Sequence, residues 1–249
     1  MREIGTSGST GGPRLEALAR AGEDLFLGRG PEQNPEAGIA LLAQAAEGGH
    51  AAATARLAVL AAAGVARPQS WSEALDLLLR AAELGDEGAR GQLAVLAGEP
   101  ERGGPLRPAE ARARVDVQAW LTAPGAAVES EAPRILTAKG LAPASACKWL
   151  RTRAKARLAR ARVNDAAEGE RREHGMRTNS AAYFGLFDTD LVLLLVQMRL
   201  SALSNVPWSR FEPPNVLHYA VGETFKTHVD FINPAAPAFA RRSRRVSGL

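Results

Sequence analysis

Cysteine occurs once in 249 residues, at Cys147, so the chain can form no intramolecular disulfide framework and no multi-cysteine zinc site. Its structure has to come from packing. Long apolar runs are missing too: the longest candidate, Leu191 to Val196, is far short of the roughly 20 residues that cross a bilayer, which excludes a membrane-spanning helix. The N-terminus, Met1 to Gly12, is rich in Gly, Ser and Thr and lacks the charged and apolar regions of a secretory signal, so a cytoplasmic location is expected. What is present is a globular composition, with 46% hydrophobic and 23% charged residues, and a length that suits one large domain or two small ones.

The formal net charge is +4 and its excess is local. Between Lys148 and Arg177 ten Lys/Arg face four Asp/Glu, and Arg241 to Arg245 adds four arginines in five residues. Such a balance can attract nucleic acid. However, Leu150, Ala154, Leu158 and Ala161 recur at helical spacing among Arg151, Arg153, Lys155, Arg157, Arg160 and Arg162. The cations therefore read as the solvated face of an amphipathic helix, and nucleic acid is not expected as a partner.

Alanine is the commonest residue, and 23 of the 49 alanines fall in the first 100 positions, a density that suits close-packed helices. A shift of 36 residues superposes Ala45-Ala46-Glu47-Gly48-Gly49 on Ala81-Ala82-Glu83-Leu84-Gly85, and Leu57-Ala58-Val59-Leu60 on Leu93-Ala94-Val95-Leu96. It also places Gly28 on Gly64 and Leu41-Leu42 on Leu77-Leu78. A period in the thirties with glycine turns is the signature of stacked helical hairpins. Over roughly Leu15 to Gly98 the pattern resembles the Sel-one-like repeats, relatives of the tetratricopeptide repeats. The residues that carry it are Gly28, Ala40 and Ala45 to Gly49 in one copy, and Gly64, Ala74, Leu75 and Ala81 to Gly85 in the next. The resemblance implies an array that binds a protein or peptide.

Beyond Glu99 the chain is punctuated by Gly103-Gly104-Pro105, Pro108 and Pro124-Gly125, and Ala109 to Leu121 can form one further helix. Ser70 is placed to cap a helix that starts at Trp71. Pro133 to Ala138 reads as a short strand, and a long helix is predicted from Ala144 to about Arg162. Ala181 to Phe184 reads as a strand, Asp190 to Ser201 as a buried helix, and Asn215 to Val221 and Phe225 to Phe231 as two strands joined across Gly222.

The segment richest in chemistry is Asn215 to Phe231, which contains His228-Val229-Asp230. On a strand, residues i and i+2 share a face, so imidazole and carboxylate point together. They are two-thirds of a 2-His-1-carboxylate facial triad, the ligand set of non-haem Fe(II). With Leu217-His218-Tyr219-Ala220-Val221-Gly222-Glu223, Lys226, and the upstream Arg177-Thr178-Asn179-Ser180-Ala181-Ala182-Tyr183-Phe184, this region resembles the prolyl 4-hydroxylase family of Fe(II)- and 2-oxoglutarate-dependent oxygenases. The resemblance begins near Arg134, takes in Pro143 to Leu150, and runs to about Pro234. It implies a double-stranded β-helix, iron bound by His228 and Asp230, Tyr219 as a co-substrate ligand, and Arg177, Thr178 and Asn179 on a polar strand near the substrate channel; read as residues alone, Tyr219 equally suits an inward-packing aromatic, and Arg177, Thr178 and Asn179 suit turn stabilisation. It also implies ascorbate beside iron and 2-oxoglutarate, and hydroxylation of a peptidyl or small substrate. His218 alternates with Tyr219 and is assigned to packing or surface; His174 lies in a charged stretch and is expected to be exposed.

The resemblance also calls for a distal histidine followed by a Lys or Arg. The 19 residues after Asp230 hold no histidine, and Arg241, Arg242, Arg244 and Arg245 lie in a polar tail. The expected fold class is therefore α+β: N-terminal α-solenoid repeats followed by an incomplete double-stranded β-helix, or jelly roll, that is inactive or nearly so as this chain. The expected layout is a disordered 1–14, a helical repeat module over 15–121, a linker over 122–132 and a partial oxygenase domain over 133–249. The alternative is a helical-repeat adaptor with a vestigial C-terminal part.

Overall fold

The computed structural model describes residues 11–30, 32–98, 107–164, 171–172 and 177–228. The fold class is α+β, and the chain divides into two compact units, Met1–Ala146 with Leu186–Leu203, and Cys147–Gly185 with Ser204–Leu249.

The first unit is built on helices α1 (Gly11–Leu27), α2 (Pro35–Glu47), α3 (Ala51–Ala63), α4 (Trp71–Glu83) and α5 (Glu87–Ala97). The 36-residue repeat is visible hydrogen bond by hydrogen bond. Asn34 caps α2 by accepting from Ala37 N–H, and Ser70, one period on, caps α4 by accepting from Glu73 N–H. His50 Nδ1 accepts from Ala53 N–H at the start of α3, and Asp86 accepts from Ala89 N–H at the start of α5. Gly28 and Gly64 share left-handed φ values of 64° and 66°, and the side-chain amides of Gln33 and Gln69, which follow them, donate to Phe26 O and Ala62 O. Each turn is thus closed by the same local chemistry, which removes the unpaired groups that a helix end leaves exposed.

The helices meet through small residues and leucines. Leu42, Leu60, Leu75, Leu78 and Leu93 are buried, with Ala45, Ala58, Ala61, Ala62, Ala81 and Ala82 between them. Helix α1 starts at Gly11, so residues 11–14 are helical although they were expected outside the module. The single helix expected over Ala109 to Leu121 is two, α6 (Pro108–Arg114) and α7 (Val117–Leu121), because Asp116 leaves the helix to cap α7 at Ala119 N–H. The expected linker holds β1 (Ala127–Glu131), which pairs antiparallel with β2 (Arg134–Thr137).

The apolar helix near residue 190, expected in the C-terminal domain, belongs to the first unit. It is α9 (Leu191–Ser204), with Leu191 to Leu195 all buried. Its first amide, Leu191 N–H, donates to Gln92 Oε1 at 3.0 Å, and Leu193 N–H donates to the Asp190 carboxylate at 2.8 Å. Farther along, the Arg199 guanidinium donates to Trp120 O, Ala119 O and Leu141 O and stands 5.3 Å from the Trp120 ring. The hydrogen bonds of α9 run to Gln92 on α5 and to Ala119 and Trp120 on α7.

The second unit contains most of α8 (Ala144–Lys155) and three short antiparallel strands in the order β3 (Ala159–Arg160), β6 (Ser180–Tyr183), β7 (Asn215–His218). A second ladder pairs β4 (Val163–Asn164) with β5 (Arg171–Arg172). Helix α8 stops well before Arg162. The apolar period continues in the sequence, but Ala159 and Arg160 pair with Ala181 and Ser180, and Ala161 N–H donates to Asn179 O. Sheet pairing there outweighs helical propensity. Phe184, 1% exposed, is the anchor of this unit, with Arg153 and Arg157 stacked on its ring at 5.3 and 5.5 Å.

Candidate functional site

Strand β7 ends at His218, earlier than the expected Val221, because the chain turns immediately. Glu223 N–H donates to Ala220 O, the Glu223 carboxylate accepts from Ala220 N–H, and Gly222 adopts a φ of 87° that a side chain would resist. The turn returns Thr224 and Phe225 beside Arg177 and Thr178. Thr178 N–H donates to Thr224 O, and Arg177 bridges Phe225 antiparallel. Of the expected second strand, Phe225 to Phe231, this bridge is what the described residues contain.

The pairing gathers side chains 51 residues apart in sequence. The Arg177 guanidinium lies 4.7 Å from the Phe225 ring centroid, and the His228 imidazole stacks on the same ring at 3.6 Å and 18°. Arg177 Nε also donates to Asn179 Oδ1 at 2.8 Å, and Asn179, fully buried, donates its amide to Ser180 O. His228 Nδ1 is 2.7 Å from Lys226 O. A carbonyl only accepts, so Nδ1 donates in this contact and Nε2 is the ring nitrogen on the far side from it.

The structure therefore brings Arg177, Asn179 and His228 into one cluster through Phe225, while Thr178 clasps Thr224. Tyr219 is 43% exposed, beyond the end of β7, and His218 is exposed at the end of that strand. Asp230 and His174 lie outside the described residues, as do the arginines after residue 240. Among the described residues, no three His, Cys, Asp or Glu side chains are grouped as a metal site. Sequence reasoning did not single out Phe225, the ring that joins the cluster, or Arg160, which donates to Glu223 Oε1 at 3.2 Å and to Thr178 O, tying the turn to β3. The signal for Phe225 was present in the turn at Gly222, which sets the register that lays one run against the other.

The first unit has a groove of about 500 Å³ lined by Trp71, Leu75, Arg112 and Val115 to Gln118. Arg112 is held there by an ion pair with Asp76 at 2.9 Å. No protein-family model, curated protein or solved structure matches the chain.

Proposed function

We propose that the C-terminal unit carries the iron-binding segment of an Fe(II)- and 2-oxoglutarate-dependent oxygenase of the prolyl 4-hydroxylase type, acting on a peptidyl or small substrate. The observation that carries the reading is the ring stack. The polar run Arg177 to Asn179 and the residue His228, linked in sequence only by the resemblance, share one cluster through Phe225.

The donor chemistry fits such a metal. The Lys226 carbonyl holds the His228 tautomer whose Nε2 can ligate, which is the usual outer-shell support of a metal-bound imidazole. His228 and Asp230 would hold the ion, and Tyr219 would meet the co-substrate. Iron with 2-oxoglutarate and O₂, kept reduced by ascorbate, supplies the oxidising chemistry. The residues of this chain do the rest: Phe225 orients the imidazole, and Arg177 places a cation over the Phe225 ring. His228 and Asp230 are two of the three ligands of a facial triad, and the iron binding expected of the two alone is weak.

The test is anaerobic equilibrium dialysis with Fe(II). Weak binding by the parent chain, lost in both His228→Ala and Asp230→Ala, is the expected result. Undiminished binding by Asp230→Ala overturns the assignment. The alternative, a helical-repeat adaptor, draws on the groove beside Trp71; it expects a bound protein partner whether or not iron is present.

A further inference from the structure

The two units differ sharply in charge. The first holds 15 Lys/Arg against 20 Asp/Glu, and the second 16 against seven. Part of that excess has a defined place. Lys148, Arg151 and Lys155, all exposed, recur at spacings of three and four on α8 and so form one stripe along the helix. Arg153 and Arg157 lie over the Phe184 ring and Arg160 pairs with Glu223.

We propose that this stripe binds an acidic segment of a peptide substrate. The inference rests on the oxygenase reading above and narrows its substrate class. At about 1.5 Å per residue, the stripe spans about 10 Å, the length of about three extended residues at about 3.3 Å each. Two Glu or Asp side chains at alternate positions of an extended peptide, about 6.6 Å apart, come close to the roughly 6 Å that separates Arg151 from Lys155 along the helix axis. A nucleic acid fits less well. The other exposed side chains in Cys147 to Ala156 are Cys147, Thr152 and Ala156, so the stripe has no exposed ring on which a base could stack.

The probe is a fluorescein-labelled twelve-residue peptide with alternating Glu and one central Pro, measured by anisotropy with the full chain and no added metal. Controls are its Gln counterpart and a labelled twelve-nucleotide oligothymidylate. At low salt the acidic peptide should bind at least about tenfold more tightly than the Gln peptide, and the difference should shrink as salt is raised through the range where exposed charges are screened. The triple variant Lys148→Gln, Arg151→Gln, Lys155→Gln should lose about tenfold, while Arg14→Gln with Arg20→Gln, exposed on α1, should lose nothing. A circular dichroism spectrum like that of the parent shows that the triple variant is folded. Equal binding of the two peptides, full binding by the triple variant, or tighter binding of the oligonucleotide overturns the proposal. Because the assay contains no metal, failure of the iron assignment leaves it readable, and loss of peptide binding leaves the iron test untouched.

Discussion

Helices α1 and α2 cross at a pair of glycines, and alanine at either should destabilise the protein although alanine is the better helix former. A Cβ built on Gly38 would lie 2.6 Å from Gly22 O and 2.8 Å from Phe26 N; one on Gly22 would lie 2.7 Å from Gly38 O. These are backbone atoms, which cannot rotate aside as a side chain can. Alanine for glycine inside a helix contributes about 1 kcal/mol in its favour. Forcing two packed helices apart costs about 1–3 kcal/mol, so Gly38→Ala should lose up to about 2 kcal/mol overall. Gly12→Ala is the internal control, because nothing lies within 4 Å of its added Cβ, and it should gain a few tenths of a kcal/mol up to about 1 kcal/mol. Urea titrations followed by helical circular dichroism measure both. The double variant Gly22→Ala, Gly38→Ala should cost less than the sum of the singles, since the first methyl already parts the helices. If Gly38→Ala and Gly12→Ala raised the midpoint alike, the close crossing would be wrong.

Two further substitutions test how α9 is held in the first unit. Asp190→Ala removes the cap at Leu193 N–H and should cost about 1–2 kcal/mol in the same titration, most of it recovered in Asp190→Asn, which keeps the acceptor. Arg199→Ala should cost about 1.5–3 kcal/mol, because the guanidinium serves three carbonyls and the Trp120 ring, and Arg199→Lys should recover little, since an ammonium cannot reproduce the planar fork. A shift in tryptophan emission should accompany the loss.

The helical repeat was legible because its determinants are local. Ser70 was readable as the cap of a helix starting at Trp71, and it accepts from Glu73 N–H as that role requires. Gly28 and Gly64 marked turns that demand a left-handed residue. The failures have the opposite origin. Helix α8 was overextended because the apolar period to Ala161 says nothing about Asn179, whose carbonyl takes the Ala161 amide from 18 residues away. Strand β1 was read as linker because Ala127 to Glu131 is polar and exposed, and its partner is what makes it a strand. Helix α9 could be recognised as buried from Leu191 to Val196, but no pattern in those residues names Gln92 as the group that receives it.

The polar run Arg177-Thr178-Asn179 shows why a motif names residues before it assigns them work. A place near a substrate and a turn-stabilising role are both open to all three in the sequence, and their contacts divide them. Thr178 Oγ1 accepts from Thr224 N–H at 2.8 Å and donates to Thr224 O at 3.2 Å, so it closes the two segments on each other. Asn179 is fully buried, with its amide satisfied by Ser180 O and its oxygen by Arg177. Neither can reach a ligand without giving up a buried or paired hydrogen bond. Arg177 is different: half-buried, fixed at Nε by Asn179 and laid over Phe225, it is a cation held in place beside the ring that also orients His228. Two members of the run thus build the position that the third occupies, and the substrate-binding role expected of this segment concentrates on Arg177.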